Sequence, residues 1–244
     1  MSREMRDLEE LGRLGRTGDD LQIEDVRRLM ELARSTFRFA CRTAGIDQRA
    51  IGAMLTKFHD AGRRSPPTTA FSSILPGRPQ SGSDGNRTRR WLLDVTHKFY
   101  ADETKATLVE VKYILQALSL ADAPGLPDST IQDDFIWLIG HRISPGEYRD
   151  PVQLIPISFT DFCADRRLLQ SGHLYPLDRG GRHEPGNTFL MLARSNQLQG
   201  NNTLPELLAL MTEIAERHAA QPDYLTRITK DTHTRAEAAS SGRG

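Results

Sequence analysis

The sequence predicts an α+β fold: a mainly helical N-terminal region followed by a small strand–loop–strand–helix element near the C-terminus. Two observations predict it. Apolar residues recur at helical spacing through most of the chain up to about Leu120. Between Leu168 and Asn201, by contrast, two short apolar runs flank a loop bearing Gly and Pro and lead directly into a helix-forming stretch. The 244 residues give ample chain for one large or two small domains.

The elements follow in order. Residues 1–62 read as a helical region. Met1 to about Asp20 is charged, with Leu8, Leu11 and Leu14 as a modest apolar face, as in a frayed or docking helix. From Ile23, the spacing of Val26, Leu29, Met30, Leu32, Ala33 and Phe37 predicts an amphipathic helix to about Thr43. Gly45 ends it and Asp47 begins another, with Ile51, Met54, Leu55 and Phe58 on one face. The break, with Gln48 and Arg49 after it, is compatible with a helix-turn-helix, although two helices packed about a Gly turn are far commoner.

Residues 63–90 are rich in Gly, Pro and Ser and carry Arg63, Arg64, Arg78, Arg87, Arg89 and Arg90. They read as a polyanion-contacting loop or as a solvated linker. Residues 91–160 form a helical or mixed scaffold. Trp91, Phe99 and Tyr100 open a helical region expected to continue to about Leu120, and the Pro and Gly of 123–127 break the chain. Ile131 to Ile143 is a compact buried element in which His141, following the apolar run, reads as structural, and 151–159 is Pro-punctuated and extended.

Residues 161–222 contain the strand–loop–strand–helix element and one more helix. Leu168 to Tyr175 and Thr188 to Leu192 are the strands, and the loop carries Asp178, Gly180, Gly181, Pro185 and Gly186. Ala193 to Gln199 is helix-forming and stops at Gly200. His173 then ends the first strand, Asn187 begins the second, and Asn196 rides on the helix folding back across them. Thr203 caps a helix from Leu204, with Leu207, Leu208, Leu210, Met211 and Ile214 as the side expected to pack on the back of the hairpin. Residues 223–244 are expected to be a flexible tail.

An imidazole and an amide oxygen brought to one point suit phosphodiester hydrolysis. A neutral histidine takes a proton from water, and a hard divalent cation on an oxygen ligand polarises the phosphate. The run Gly172-His173-Leu174-Tyr175-Pro176, then Gly180-Gly181-Arg182-His183, then Asn187 fourteen residues after His173 and Asn196 nine further on, resembles the HNH nucleases. These are also called ββα-metal or His-Me finger enzymes.

The resemblance covers about a seventh of the chain. It implies a C-terminal ββα-metal core, with His173 as general base, Asn187 steadying the loop and orienting the His ring, and Asn196 as ligand of Mg²⁺ or Mn²⁺. Gly172 departs from it, because most family members carry an aspartate there as a second metal ligand. A Gly-His pair does occur in the related DRGH nonspecific nucleases, where one helix Asn holds a largely hydrated Mg²⁺. Asp165, Asp178 and His183 remain open as further ligands. Arg166, Arg167, Arg179, Arg182, His183 and Arg194 are candidate nucleic-acid contacts, and Gln199 either bonds DNA or caps the helix end.

A formal net charge of zero argues against indiscriminate coating of nucleic acid. Lysine occurs only at positions 57, 98, 105, 112 and 230, so nearly all positive charge is Arg, suited to phosphate or guanine. Genomic base composition explains the same bias equally well. Cys41 and Cys163 form no CxxC pair, so reduced thiols and no structural zinc are expected.

With no apolar run of membrane length and no signal-peptide core, a cytoplasmic protein is expected. The combined reading is a restriction-type DNA endonuclease, expected to act as a homodimer on double-stranded DNA. The alternatives are a non-catalytic nucleic-acid-binding or regulatory protein with a degenerate ββα element, and a nonspecific DNA-degrading defence effector.

Overall fold

Three helices form the N-terminal part of the computed structural model, which describes residues 3–66, 87–224 and 226. They are α1 (Arg3–Thr17), α2 (Ile23–Thr43) and α3 (Gln48–Arg63). Their starts follow from capping chemistry. The Asp25 carboxylate accepts the Gln22 N–H at 3.3 Å, and Asp47 accepts from the N–H groups of Arg49 and Ala50 at 2.9 and 3.1 Å. The apolar stripes read from the sequence are the ones buried, and Phe37 and Phe58 meet edge-on at 5.9 Å.

Helix α4 (Glu103–Ala117) is the central post, buried almost all round and packed against α2 and α3. Its start differs from the sequence expectation. Between Trp91 and Asp102 there is only a 3₁₀ turn over Arg90–Leu92 and then irregular chain. Polar turn chemistry overrides the aromatic pattern there: Asp94 accepts the Thr96 N–H at 2.8 Å, and Asp102 caps α4 by accepting from Lys105 N–H at 2.8 Å. On α4, the fully buried Glu110 is answered by Arg34 of α2 at 2.5 Å and by His59 of α3 at 3.3 Å. A Cβ at Gly62 would lie 2.8 Å from the Glu110 nitrogen, so the last turn of α3 rests directly on the α4 backbone.

The short helices α5 (Ile136–Ile139) and α6 (Phe159–Ala164) lead into strand β1 (Leu169–His173), which pairs antiparallel with β2 (Thr188–Leu192). His173 stands opposite Thr188 and Gly172 opposite Phe189. An isolated two-stranded ribbon is marginal in water. Here the scaffold holds it: Tyr113 of α4 bonds Ser171, the Tyr148 hydroxyl donates to the Leu190 carbonyl, and Gln116 of α4 accepts the Leu190 N–H at 3.2 Å.

Helix α7 (Ala193–Gln199) continues from β2 without a linker, completing the predicted ββα order. Buried Asp150 fixes that junction by accepting from Leu192 N–H and Ser195 Oγ, each at 2.8 Å. His141 packs on Tyr148 with ring centroids 5.4 Å apart and bonds the Arg142 carbonyl at 2.8 Å, in keeping with a structural role.

Contacts divide the chain into two units, Met1–Asn201 and Asn202–Gly244. The hairpin therefore belongs to the same unit as the N-terminal helices. The second unit contains α8 (Leu204–Ala220), capped by Thr203, whose N–H donates to Glu206 at 2.8 Å. Most of the 63–90 segment and most of the expected tail lie outside the described residues. Among the described residues no helix is long and apolar enough to cross a membrane.

Candidate active site

The loop between β1 and β2 is closed by Asn187. Its Oδ1 accepts the Tyr175 N–H at 2.8 Å, while its Nδ2 donates to the carbonyls of Tyr175 at 2.9 Å and Arg182 at 2.8 Å. Gly181 is required here, since a Cβ would stand 2.2 Å from the Tyr175 oxygen. Asn187 thus ties the loop backbone at Tyr175 to that at Arg182. All of its bonds go to backbone, however, and the contact that orients the His173 ring comes from the next loop residue after Arg182.

That residue is His183. It is 1% exposed, its Nδ1 lies 3.1 Å from His173 Nε2, and its Nε2 lies 2.7 Å from the Gly62 carbonyl at the end of α3. A carbonyl only accepts, so His183 carries its proton on Nε2. Burial, the nearby Arg90 charge and His173 push the His183 pKa far below the usual histidine range, so the ring is neutral and Nδ1 is an acceptor. His173 consequently donates through Nε2. Its own pKa is pushed down to about 4 by burial and by Arg90. The ring is neutral at physiological pH, with the lone pair on Nδ1.

Helix α7 folds back over β1 through two amides. Gln199 Nε2 donates to the His173 carbonyl at 2.8 Å and the Leu174 carbonyl at 3.3 Å, and Asn196 Nδ2 donates to Gln170 Oε1 at 2.8 Å. The second bond leaves Asn196 Oδ1 as an acceptor. His173 and Asn196 line one cavity of about 340 Å³, together with Asp178. A larger cavity of about 520 Å³ shares His173, Ser171, Phe99 and Leu177 with it, and is walled by Lys57 and Arg90. His173 therefore stands where the two spaces meet.

The other sequence candidates divide by location. Arg166 and Arg167 line the larger cavity. Arg182 lines a separate space with Lys105 and Glu184, Arg194 bonds Gln153, and Arg179 lies over the Tyr175 ring at 5.9 Å. His183 is corrected as a phosphate or metal contact: it is buried and both ring nitrogens are bonded within the protein. Gln199 is a fastener of the helix, not a surface contact.

The donors lining the smaller cavity are amide oxygens, one carboxylate, the Ser171 hydroxyl and the His173 imidazole, with no thiol among them, and Asp178 pairs with Lys98 at 2.5 Å. Among the described residues no group of three or more His, Cys, Asp or Glu side chains gathers in a metal-holding arrangement. A hard, largely hydrated cation fits such a donor set; a thiophilic one does not. Asp165 lines neither cavity and turns its carboxylate to Arg167 N–H at 2.9 Å. At Gly172 a Cβ would lie 2.3 Å from Met191 Sδ, so the thioether occupies the volume an aspartate side chain would need.

Sequence reasoning missed Lys57, Gln170, Asp150 and the Gly62 carbonyl, and offered Arg90 only as one of six arginines in the 63–90 segment. None carries a local signal: Gly62 and His183 are 121 residues apart.

No protein-family model matches the chain, and no curated protein does. One solved structure, described as a crystal structure of a type II restriction endonuclease, superposes with a TM-score of 0.42 and 23% identity. The overlap spans 50% of this chain and 55% of that one.

Proposed function

We propose that this chain is a metal-dependent DNA endonuclease that hydrolyses phosphodiester bonds, and that it acts as a site-specific, restriction-type enzyme. The observation that carries the reading is the hydrogen-bond chain from Gly62 through His183 to His173. It fixes one tautomer and leaves a basic nitrogen at the cavity that Asn196 also lines.

His173 Nδ1 takes the proton from the attacking water, and Asn187 and His183 hold the ring and its loop in place. Asn196 Oδ1, with Asp178 nearby, would hold Mg²⁺ or Mn²⁺. When bound, such an ion supplies charge stabilisation at the phosphate and the leaving oxygen. Two active sites are needed to cut both strands, so the working form is a homodimer.

Supercoiled plasmid incubated with Mg²⁺ or Mn²⁺ tests the reading. Wild type is expected to nick or linearise it, while His173→Ala binds without cutting. Binding without cutting by wild type, with every metal and substrate, replaces the enzyme with a nucleic-acid-binding regulatory protein, a reading that Gly172 favours. Mapped ends separate a defined site from the scattered cuts of a nonspecific defence effector.

A further inference from the structure

Arg90 is 4% exposed, and all of its bonds go to neutral backbone oxygen: Gly62 and Phe99 at 3.2 Å, Ala61 at 3.3 Å. No carboxylate among the described residues pairs with it. The carbonyl end of α3 offsets part of its charge through the helix dipole, but a whole positive charge remains beside the catalytic cavity. Five N–H groups belong to a guanidinium, and three are used.

Further out, the larger cavity holds Lys57, half-buried on α3, and Arg166, exposed before β1; neither forms an ion pair with a described residue. Arg64 and Arg87, on the same wall, both reach the carboxylate of Asp60, at 3.5 and 3.3 Å. The Lys57 pKa is lowered first by burial; the Asp165 charge opposes this, and the weaker Arg166 and Arg87 charges lower it further. Like charges are thus gathered around a space of about 520 Å³ that opens at His173. Such a cluster is destabilising unless an anion enters it.

We propose that this cavity is the seat of the nucleic-acid backbone next to the bond being cut, with Arg90 bonding a phosphate oxygen at its inner end and Lys57 and Arg166 holding the adjoining phosphate. Helix α3, far from the ββα element in sequence, then belongs to the substrate-binding surface. The assignment rests on the phosphodiesterase reading for the identity of the ligand, but binding is measured separately from cutting.

The test is fluorescence anisotropy of a labelled DNA duplex with the full chain in EDTA, across a salt series. Lys57→Ala combined with Arg166→Ala is expected to weaken binding about tenfold or more and to lower the salt slope by about two. Arg6→Ala with Arg13→Ala, the same charge change on exposed positions of α1, is expected to leave both nearly unchanged. Thermal melts check that the variants fold, and the Lys57 and Arg166 pair avoids dependence on buried Arg90. If the cavity pair binds like wild type, or the α1 pair weakens binding equally, the inference is overturned whether or not the enzyme cuts. If the cavity pair alone loses binding while wild type never cuts, the phosphate seat stands and the catalytic reading falls.

Discussion

His173 Nε2 and His183 Nδ1 lie 3.1 Å apart, and because His183 is pinned to the Gly62 carbonyl at 2.7 Å, only one proton arrangement satisfies both bonds. The tautomer of His173 is thus fixed from α3, through a histidine that is 1% exposed.

His183→Leu is therefore expected to lower kcat by about 10² to 10⁴ with little change in KM, since the base keeps its place but loses its proton address. His183→Gln can accept with Oε1 and donate with Nε2, and should recover part of the loss. Equal rates for the Leu and Gln variants would show that residue 183 only fills space.

The pH dependence follows from the depressed His173 pKa of about 4. In the free protein the His173 ring is already deprotonated well below neutrality, so kcat/KM for the proposed cleavage should not fall with acid until about pH 5. The stability consequence has the same sign. The unfolded ring, with a pKa near 6.5, binds a proton that the folded ring refuses, so stability is full above about pH 6.5 and declines as pH drops towards 4. His183, depressed for similar reasons, adds to the decline. Urea melts at pH 7, 6 and 5 should show it, and the His183→Gln variant should show less.

Asp150 is fully buried and accepts four hydrogen bonds, from the N–H groups of Val152 (3.0 Å), Gln153 (2.7 Å) and Leu192 (2.8 Å) and from Ser195 Oγ (2.8 Å). It sets the point where β2 becomes α7, and so sets where Asn196 stands. Asp150→Ala should cost about 3 kcal/mol by leaving buried donors unpaired. Metal-dependent cutting should fall further than the stability loss explains, read as a raised Mn²⁺ requirement in folded protein.

The hairpin was legible because strand alternation, loop glycines and the Gly200 stop are all local signals. His173 and Asn196 line the same cavity, the succession of β1, β2 and α7 carrying both to it. The charge environment was not legible. Arg90 was one arginine among six in a polar stretch, and only tertiary packing buries it against Ala61 and Gly62. Likewise His183 looked like a loop histidine, and the approach of α3 to α4 at Gly62 is what supplies its second partner. The late start of α4 has a local cause in Asp94 and Asp102, whose turn and cap bonds override the aromatic spacing of Trp91 and Phe99.

Lys112 offers a contrasting titration. It is 2% exposed, donates to the Pro185 carbonyl at 2.6 Å, lies 3.8 Å from the centre of the Phe189 ring, and has its pKa lowered to about 8 by burial. Between about pH 8 and 10 the unfolded lysine holds a proton that the folded one has released, so stability should rise with pH across that window. Lys112→Met keeps the packing on Phe189, and is expected to abolish the rise while leaving the protein at least as stable at pH 7. Thermal midpoints at pH 7, 8, 9 and 10 for both proteins decide it.

Gly172 poses the sharpest question for the metal. Restoring the acidic ligand with Gly172→Asp places a Cβ 2.3 Å from the sulfur of fully buried Met191, so the single variant should be destabilised by about 1–3 kcal/mol and gain no activity. Adding Met191→Ala opens that volume. The double variant should lose core stability from the shortened side chain, yet bind Mn²⁺ more tightly than wild type, because a carboxylate joins the amide oxygen of Asn196. Titration of Mn²⁺ by electron paramagnetic resonance reads affinity without requiring turnover. An unchanged Mn²⁺ affinity in folded double variant would place the metal away from β1, and Asn196 would lose its proposed role as ligand.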